Sequence, residues 1–382
     1  MKKLLFLIFA AVSFCIPAVG GEPADGTPFP TVTVFEEGDH GYSAYRIPAL
    51  ASMPDGTLLA FAEARRRDRH DSGDIDLVLR RSMDGGRTWG EMTVVWDDGD
   101  NTCGNPAPVV WDDGEIVLLA TWNRGEDRER DIERGQSVDT RRVFVMRSGD
   151  AGETWSAPEE ITADVKPAGW TWYATGPCHA IVKRRPPHCG RIVVPSNHQQ
   201  LGADGGVEAF SQIIYSDDTG QTWHLGAVSQ QGGNESTVAE LSDGGLMLNM
   251  RRFERGDTLR MWAVSRDGGI SWSSSGEDPA LVEPRCQASL LNVTDRKGRP
   301  TATLLFSNPH DAGLRQNLSL GVSRDDGATW SRFVTVFPGP SAYSDLVRID
   351  RKHIGVLFEN GDAEALYRRI SFAVVPLGKV LK

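Results

Sequence analysis

Short apolar runs rich in β-branched residues recur along the chain. Ile75 to Leu79, Val143 to Met146, Ile213 to Tyr215, Met261 to Val264 and Leu318 to Val322 all have the alternation and composition of strands. Each run leads into the same polar segment, Ser-x-Asp-x-Gly-x-[Thr/Ser]-Trp. The five copies span Ser82 to Trp89, Ser148 to Trp155, Ser216 to Trp223, Ser265 to Trp272 and Ser323 to Trp330. The aspartate can accept backbone N–H groups two residues on, as in an Asx-turn. Gly86, Gly152, Gly220, Gly269 and Gly327 supply the positive φ of a tight turn. The closing tryptophan is large enough to anchor the turn on a neighbouring sheet. The repeating unit is therefore strand, Asp turn, strand.

Copies lie roughly 50–70 residues apart, the spacing of four-stranded propeller blades. About 360 residues divided by that period gives roughly six blades. The expected fold is an all-β, six-bladed β-propeller with Asp-box turns, one blade lacking its turn signature. The repeats specify architecture; chemistry must come from residues outside them.

The first twenty residues have a different pattern. Lys2 and Lys3 precede the apolar stretch from Leu4 to Val12, and Ala18-Val19-Gly20 is a small-x-small cleavage site. Residues 1–20 are expected to be a signal peptide and 21–382 one catalytic domain, with Glu22 to Pro30 a leader. The protein is then secreted or periplasmic. Cys15 raises the alternative of a lipoprotein, but Phe14 before it fits a lipobox poorly. No other apolar run is long enough to cross a membrane, so an integral membrane protein is not expected.

Cys103, Cys178, Cys189 and Cys286 are too few for a disulfide scaffold in a domain this size, and their pairing is left open. No CxxC or spaced histidine pair suggests zinc, and no cofactor is expected. The net charge of −11 argues against nucleic acid and anionic membrane surfaces as partners. A small anionic ligand remains compatible if arginines are gathered locally. Arg46 lies in the apolar segment Tyr45 to Leu50, Arg251 ends Leu246 to Met250, and Arg315 precedes Asn317 to Leu320. Any one of them alone reads equally as a buried ion pair. Three in comparable blade positions point to a shared anion at the mouth of the central channel.

Together, the five Asp turns, Arg46-Ile47-Pro48, Asn234-Glu235-Ser236-Thr237 with Glu240-Leu241-x-Asp243-Gly244, and Pro340 to Leu346 resemble the bacterial exo-α-sialidases (neuraminidases) across nearly the whole chain. The resemblance implies that Arg46, Arg251 (rather than Arg252) and Arg315 clamp a substrate carboxylate, which guanidinium forks pair bidentately. It makes Tyr343 the nucleophile and Glu235 its base. A phenol suits an anomeric carbon that bears a carboxylate, because a carboxylate nucleophile would be repelled.

Asp71, nine residues ahead of Arg80-Arg81, matches the acid/base, with Asp68 the alternative and Asp74 and Asp76 structural. Arg65 matches the arginine that contacts the sugar 4-hydroxyl, and Glu359 the glutamate that supports Arg46. The sequence departs from the family at Asn105, which stands where many sialidases carry aspartate near the 4-hydroxyl and N-acetyl group. The aromatics of Trp170 to Tyr173 either pack or line a platform, and Tyr173 is the one assigned to the site. The implied reaction is two-step retaining hydrolysis of terminal α-linked sialic acids from glycoproteins, glycolipids or oligosaccharides, by a monomer without cofactor. The alternatives are a trans-sialidase or intramolecular sialidase on the same frame, and a non-catalytic Asp-box propeller.

Overall fold

The computed structural model describes residues 27–254, 256 and 258–382. The signal assigned to residues 1–20, including Cys15, lies outside the described residues. Described strands form four sheets of seven, five, four and eight strands, almost all paired antiparallel as simple meanders. Helices are short; the segment Glu129–Glu133 is the one that reaches the site described below. No helix among the described residues is long and apolar enough to cross a membrane.

Each Asp turn repeats one hydrogen-bond pattern. In the first copy, Ser82 Oγ donates to Asp84 Oδ1 (2.9 Å) and accepts from Gly86 N (2.8 Å). Asp84 accepts from Thr88 N (2.9 Å) and Thr88 Oγ1 (2.7 Å). The aspartate thus reaches the N–H four residues on, not two as an Asx-turn requires, and the serine hydroxyl binds the glycine N–H instead. The same serine–glycine and aspartate–threonine or aspartate–serine bonds recur in the other copies. All five glycines have positive φ, from 78° to 94°. Four bonds fold the serine, aspartate, glycine and hydroxyl residue into a rigid knuckle, which explains why those residue types recur together.

The glycines also touch the neighbouring sheet. A Cβ on Gly152 would fall 2.6 Å from Leu79, one on Gly269 2.0 Å from Ile213, and one on Gly327 2.6 Å from Met247. Each of these turns leans on strands that precede it in the chain. The first turn has no earlier Asp turn to follow: a Cβ on Gly86 would lie 2.0 Å from Phe372 Cε1, near the C-terminus.

Period-2 alternation divides each strand between two apolar clusters. In Leu58–Arg65, Leu58, Ala60 and Ala62 pack with Val347, Leu357 and Phe372. Leu59 and Phe61 pack on the other face with Leu118 and Met146. Further clusters join Leu119 to Ile192, Ile213 to Leu248, Met247 to Phe306 and Leu320 to Val356. The N-terminal strand Thr31–Glu36 pairs with Arg369–Pro376, which completes the last sheet with the first strand.

At the centre, Asp345 is fully buried. Its carboxylate accepts from Leu50 N (2.8 Å), His179 N (2.9 Å), Ser289 Oγ (2.7 Å) and Leu346 N (2.9 Å), and meets His179 Nδ1 at 2.7 Å. One side chain thereby joins segments far apart in sequence. Gly86 and Gly38 offer a controlled comparison, since both have φ of 88° but nothing lies within 4 Å of a Cβ on Gly38. Gly38→Ala is expected to cost about 1 kcal/mol from left-handed strain, and Gly86→Ala about 2–4 kcal/mol once overlap with Phe372 is added. Equal losses in urea unfolding would show that the packing of the turn on Phe372 is unimportant.

Candidate active site

The site is assembled where strands bulge. Register slips between Arg46 and Ala49 in Ala44–Ser52, between Gly104 and Ala107 in Thr102–Val110, and between Ser341 and Ser344 in Arg332–Arg348. A bulge turns the local side chains away from the strand's regular alternation. Ile47 and Asn105, each followed by proline, take φ of 59° and 54°. For a β-branched isoleucine this is strained backbone. The strain at Ile47 is held by its N–H donating 2.9 Å to Glu359 Oε1.

Glu359 on His353–Asn360 is completely buried. It also accepts from Arg46 Nε (2.8 Å) and Nη2 (3.2 Å), and from Tyr343 N (3.2 Å). Arg46, Arg251, Arg315, Tyr343, Glu235, Asp71, Arg65 and Asn105 all line one cavity of about 500 Å³. That is an ordinary size for a small-molecule site.

Tyr343 Oη donates to Glu235 Oε1 at 2.6 Å. Arg251 Nη1 donates to Glu235 Oε2 (2.6 Å) and to Tyr343 Oη (2.9 Å). Burial first, and then the Glu235 charge, push the phenol well above its usual range, while Arg251, Arg315 and Arg46 pull the other way. Tyr343 therefore rests as a neutral phenol with its proton directed at a carboxylate. Arg315 donates to Tyr367 Oη (2.6 Å) and to the carbonyl of Arg285 (2.7 Å). The Tyr367 ring also lies 3.9 Å from the Arg46 guanidinium.

Asp71 sits on the loop before Ile75–Ser82, its side chain 54% exposed. Its Oδ1 is 2.8 Å from Arg65 Nη1 and 3.9 Å from Arg46 Nη1. Burial pushes this carboxyl up, but the charges of Arg65 and Arg46 outweigh it and hold the group below the usual range. Asp71 is thus ionised before any anion enters. Asp74 and Asp76 instead pair with Arg66, and Asp76 is buried against Tyr42 Oη. Asp68 does not line this cavity.

Tyr173 is a correction. Its side chain is fully buried and packs with Leu119, Ile192 and Ile214, whereas Trp172 and Ala174 line the cavity. A register slip between Trp170 and Tyr173 sets that parity. Asn105 does line the cavity. Its Oδ1 accepts from Arg141 Nη2 (2.5 Å), and its N–H donates to Glu63 Oε1 (2.9 Å).

Sequence reasoning missed Arg141, Tyr367 and Glu129, and left Trp172 open between packing and lining the site; it lines the cavity. Arg141 is buried, stacks 4.1 Å from the Trp172 ring, and donates to Thr121 Oγ1 (3.1 Å). Glu129 is pushed up to about 7 by burial, with Asp71 and Glu133 adding repulsion. The 124–141 segment carries no motif. Its dense charge is the only signal, and that reads as a solvated loop. Among the described residues, Cys103, Cys178, Cys189 and Cys286 are unpaired.

Asp-turn repeats and an arginine-lined cavity define a class of all-β protein, and residues 56–356 match the family model of the BNR repeat-like domain. The chain is 31% identical over 370 residues to a sialidase of Bacteroides fragilis, covering 92% of this chain and 65% of that one. It is 34% identical over 354 residues to a sialidase of Micromonospora viridifaciens, covering 90% and 53% respectively. The chain therefore spans roughly half to two-thirds of the length of these relatives. Among solved structures, the Hadza microbial sialidase Hz136 superposes with a TM-score of 0.80 at 31% identity, covering 92% of this chain and 69% of the other. The chain belongs to the sialidase family.

Glu129 generates a pH prediction. Its folded pKa lies above the unfolded value near 4.5, so the unfolded chain releases this proton first as pH rises. Stability is lost between about pH 4.5 and 7, and the full penalty persists above that. Glu129→Gln should therefore raise Tm relative to the parent at pH 8, with the difference closing at pH 4. A Tm difference independent of pH would contradict the assignment.

Proposed function

We propose that the protein is an exo-α-sialidase that hydrolyses terminal α-linked sialic acids with retention of configuration. The observation that carries this reading is the meeting of Arg46, Arg251 and Arg315 around Tyr343, whose Oη lies 2.6 Å from Glu235. Three permanent positive charges suit a carboxylate, and each charge-assisted bond to it contributes about 1.5–3 kcal/mol when desolvated. Membership of the sialidase family supports the same substrate class.

Tyr343 attacks the anomeric carbon while its proton passes to Glu235 Oε1, and the C–O bond to the leaving group breaks. Asp71 protonates the departing oxygen. It is ionised at rest, so it must gain a proton when substrate binds. A carboxylate bound at Arg46 offsets part of the positive field that holds Asp71 ionised, which favours that protonation. In the second step Asp71 takes a proton from water, the water oxygen bonds to the anomeric carbon, and the bond to Tyr343 breaks. Tyr343 then recovers its proton from Glu235.

The proposed frame is a closed six-bladed propeller. Six apolar clusters between successive strand groups support it, as does the contact of Gly86 with Phe372, which links the first group to the last. Residues 1–20 fit a cleaved export signal, and the protein is then secreted or periplasmic.

The test is release of sialic acid from defined α2,3-, α2,6- and α2,8-linked substrates, with the anomer followed by NMR. The α form should appear first; an initial β product would overturn retention. A 3-fluoro-sialyl fluoride should label Tyr343, and Tyr343→Phe should abolish that labelling with nearly unchanged Tm. Labelling that persists elsewhere would reassign the nucleophile. Arg315→Ala should lower kcat/KM by about 10- to 150-fold, the loss of one charge-assisted bond; normal kinetics would remove Arg315 from the clamp.

A further inference from the structure

The segments that build the arginine-lined cavity do not end there. Arg46, Asn105, Ala174, Glu235, Arg285 and Tyr343 line that cavity. A few residues further along each segment, Leu50, Pro108, His179, Val238, Leu290 and Leu346 line two others, of about 630 and 200 Å³. In extended chain this is a distance of at least roughly 10 Å, and the order is the same in all six segments. The two cavities therefore open at the opposite ends of those segments. They share His179, Val182, Arg184 and Leu291 and form one recess. We infer that this recess is a second ligand site, which takes a small organic acid with an apolar body and one carboxylate.

The apolar part of the recess is the ends of the inner strands. Val238 and Leu290 are fully buried in its wall. Ile181, Val182 and Leu291 are only partly buried, each packed on a different apolar cluster. They leave hydrocarbon surface facing the recess, which a ligand can cover.

One polar group is held among them. His179 is 9% exposed and lines both cavities. Its Nδ1 lies 2.7 Å from Asp345 Oδ1, and its backbone N–H also donates to that carboxylate (2.9 Å). Both contacts fix the ring, and Nε2 is left with no hydrogen bond to protein among the described residues. Burial pulls the imidazole down, but the Asp345 charge and hydrogen bond outweigh it and hold the group above its usual range. In the protonated ring Nε2–H is a donor without a partner, at the edge turned from Asp345.

The charges around it favour an anion. Both lining carboxylates are already paired: Asp112 with Arg184 (2.7 Å twice), and Glu240 with Lys183 (3.0 Å). Arg299 is paired with Asp295 (2.7 Å). Lys297 Nζ has no partner among the described residues. Arg348 donates to Thr294 Oγ1 (2.5 Å) and to the carbonyl of Asp350 (3.0 Å), neutral acceptors that leave its charge uncompensated. The lining thus carries excess positive charge in a chain whose net charge is −11. A carboxylate satisfies the imidazole and the rim, and an apolar body covers the strand ends.

The experiment measures octanoate binding to the parent by calorimetry, with acetate and octanol as probes of head and body alone. Octanoate should bind at least about tenfold more tightly than either. His179→Asn keeps an amide where Nδ1 meets Asp345 and removes Nε2; it should weaken octanoate about tenfold. Lys297→Gln should weaken it about two- to fivefold. Lys297 is exposed, so this variant decides the matter even if His179→Asn does not fold. Arg315→Ala, in the other cavity, should bind octanoate like the parent. Octanoate should also slow alkylation of Cys189, the exposed free thiol that lines the recess, as mapped by mass spectrometry. Absence of saturable octanoate binding would overturn the proposal, and so would unchanged alkylation of Cys189. Binding weakened by Arg315→Ala and not by Lys297→Gln would place the anion among the arginines and overturn it equally.

Discussion

The site depends on one buried carboxylate. Glu359 is sealed from solvent and takes four donors, from Arg46 Nε and Nη2, Ile47 N and Tyr343 N. A buried carboxylate is tolerated only when its oxygens are satisfied this fully. Its position fixes the direction of one guanidinium, the left-handed kink at Ile47 and the backbone that carries the phenol. Two distant stretches of chain are referred to a single point on a central strand. The remaining arginines solve the like-charge problem separately. Arg251 shares Glu235 with Tyr343, and Arg315 leans on Tyr367 and a backbone carbonyl. Each is held in place while the cavity between them stays open for an anion.

Asp345 does for the frame what Glu359 does for the site. It lies two residues from Tyr343 and binds three separate inner segments through Leu50, His179 and Ser289. The strand Arg332–Arg348 thus carries the phenol and the central structural carboxylate in close succession. Support at the periphery comes from the Asp turns, where positive-φ glycines press against the adjoining sheet. Site geometry is therefore inherited from tightly satisfied polar groups at the centre and close packing at the rim.

Much of this was legible in the sequence because it is local. The serine, aspartate, glycine and tryptophan of each turn interact within eight residues, so the repeat predicts strand, turn and strand directly. The donor that meets each aspartate was not legible, since it depends on the fold of the whole knuckle. Arg46, Glu235 and Tyr343 stand in recognisable segments, and the cavity gathers them. Trp172 and not Tyr173 lines the cavity because a register slip shifts the parity of one strand, and alternation cannot reveal a slip. Arg141 and Glu129 come from a charged segment whose path over the cavity is set by tertiary contacts. Nothing periodic marks them.

The pairing of Thr31–Glu36 with Arg369–Pro376 has a consequence for biosynthesis. The strand Thr31–Glu36 finds this hydrogen-bonding partner only once Arg369–Pro376, far along the chain, has been translated. Until then its neighbours present an unsatisfied sheet edge, the kind of surface that recruits other chains. A polypeptide cut before Arg369–Pro376 leaves that sheet with an exposed β-edge.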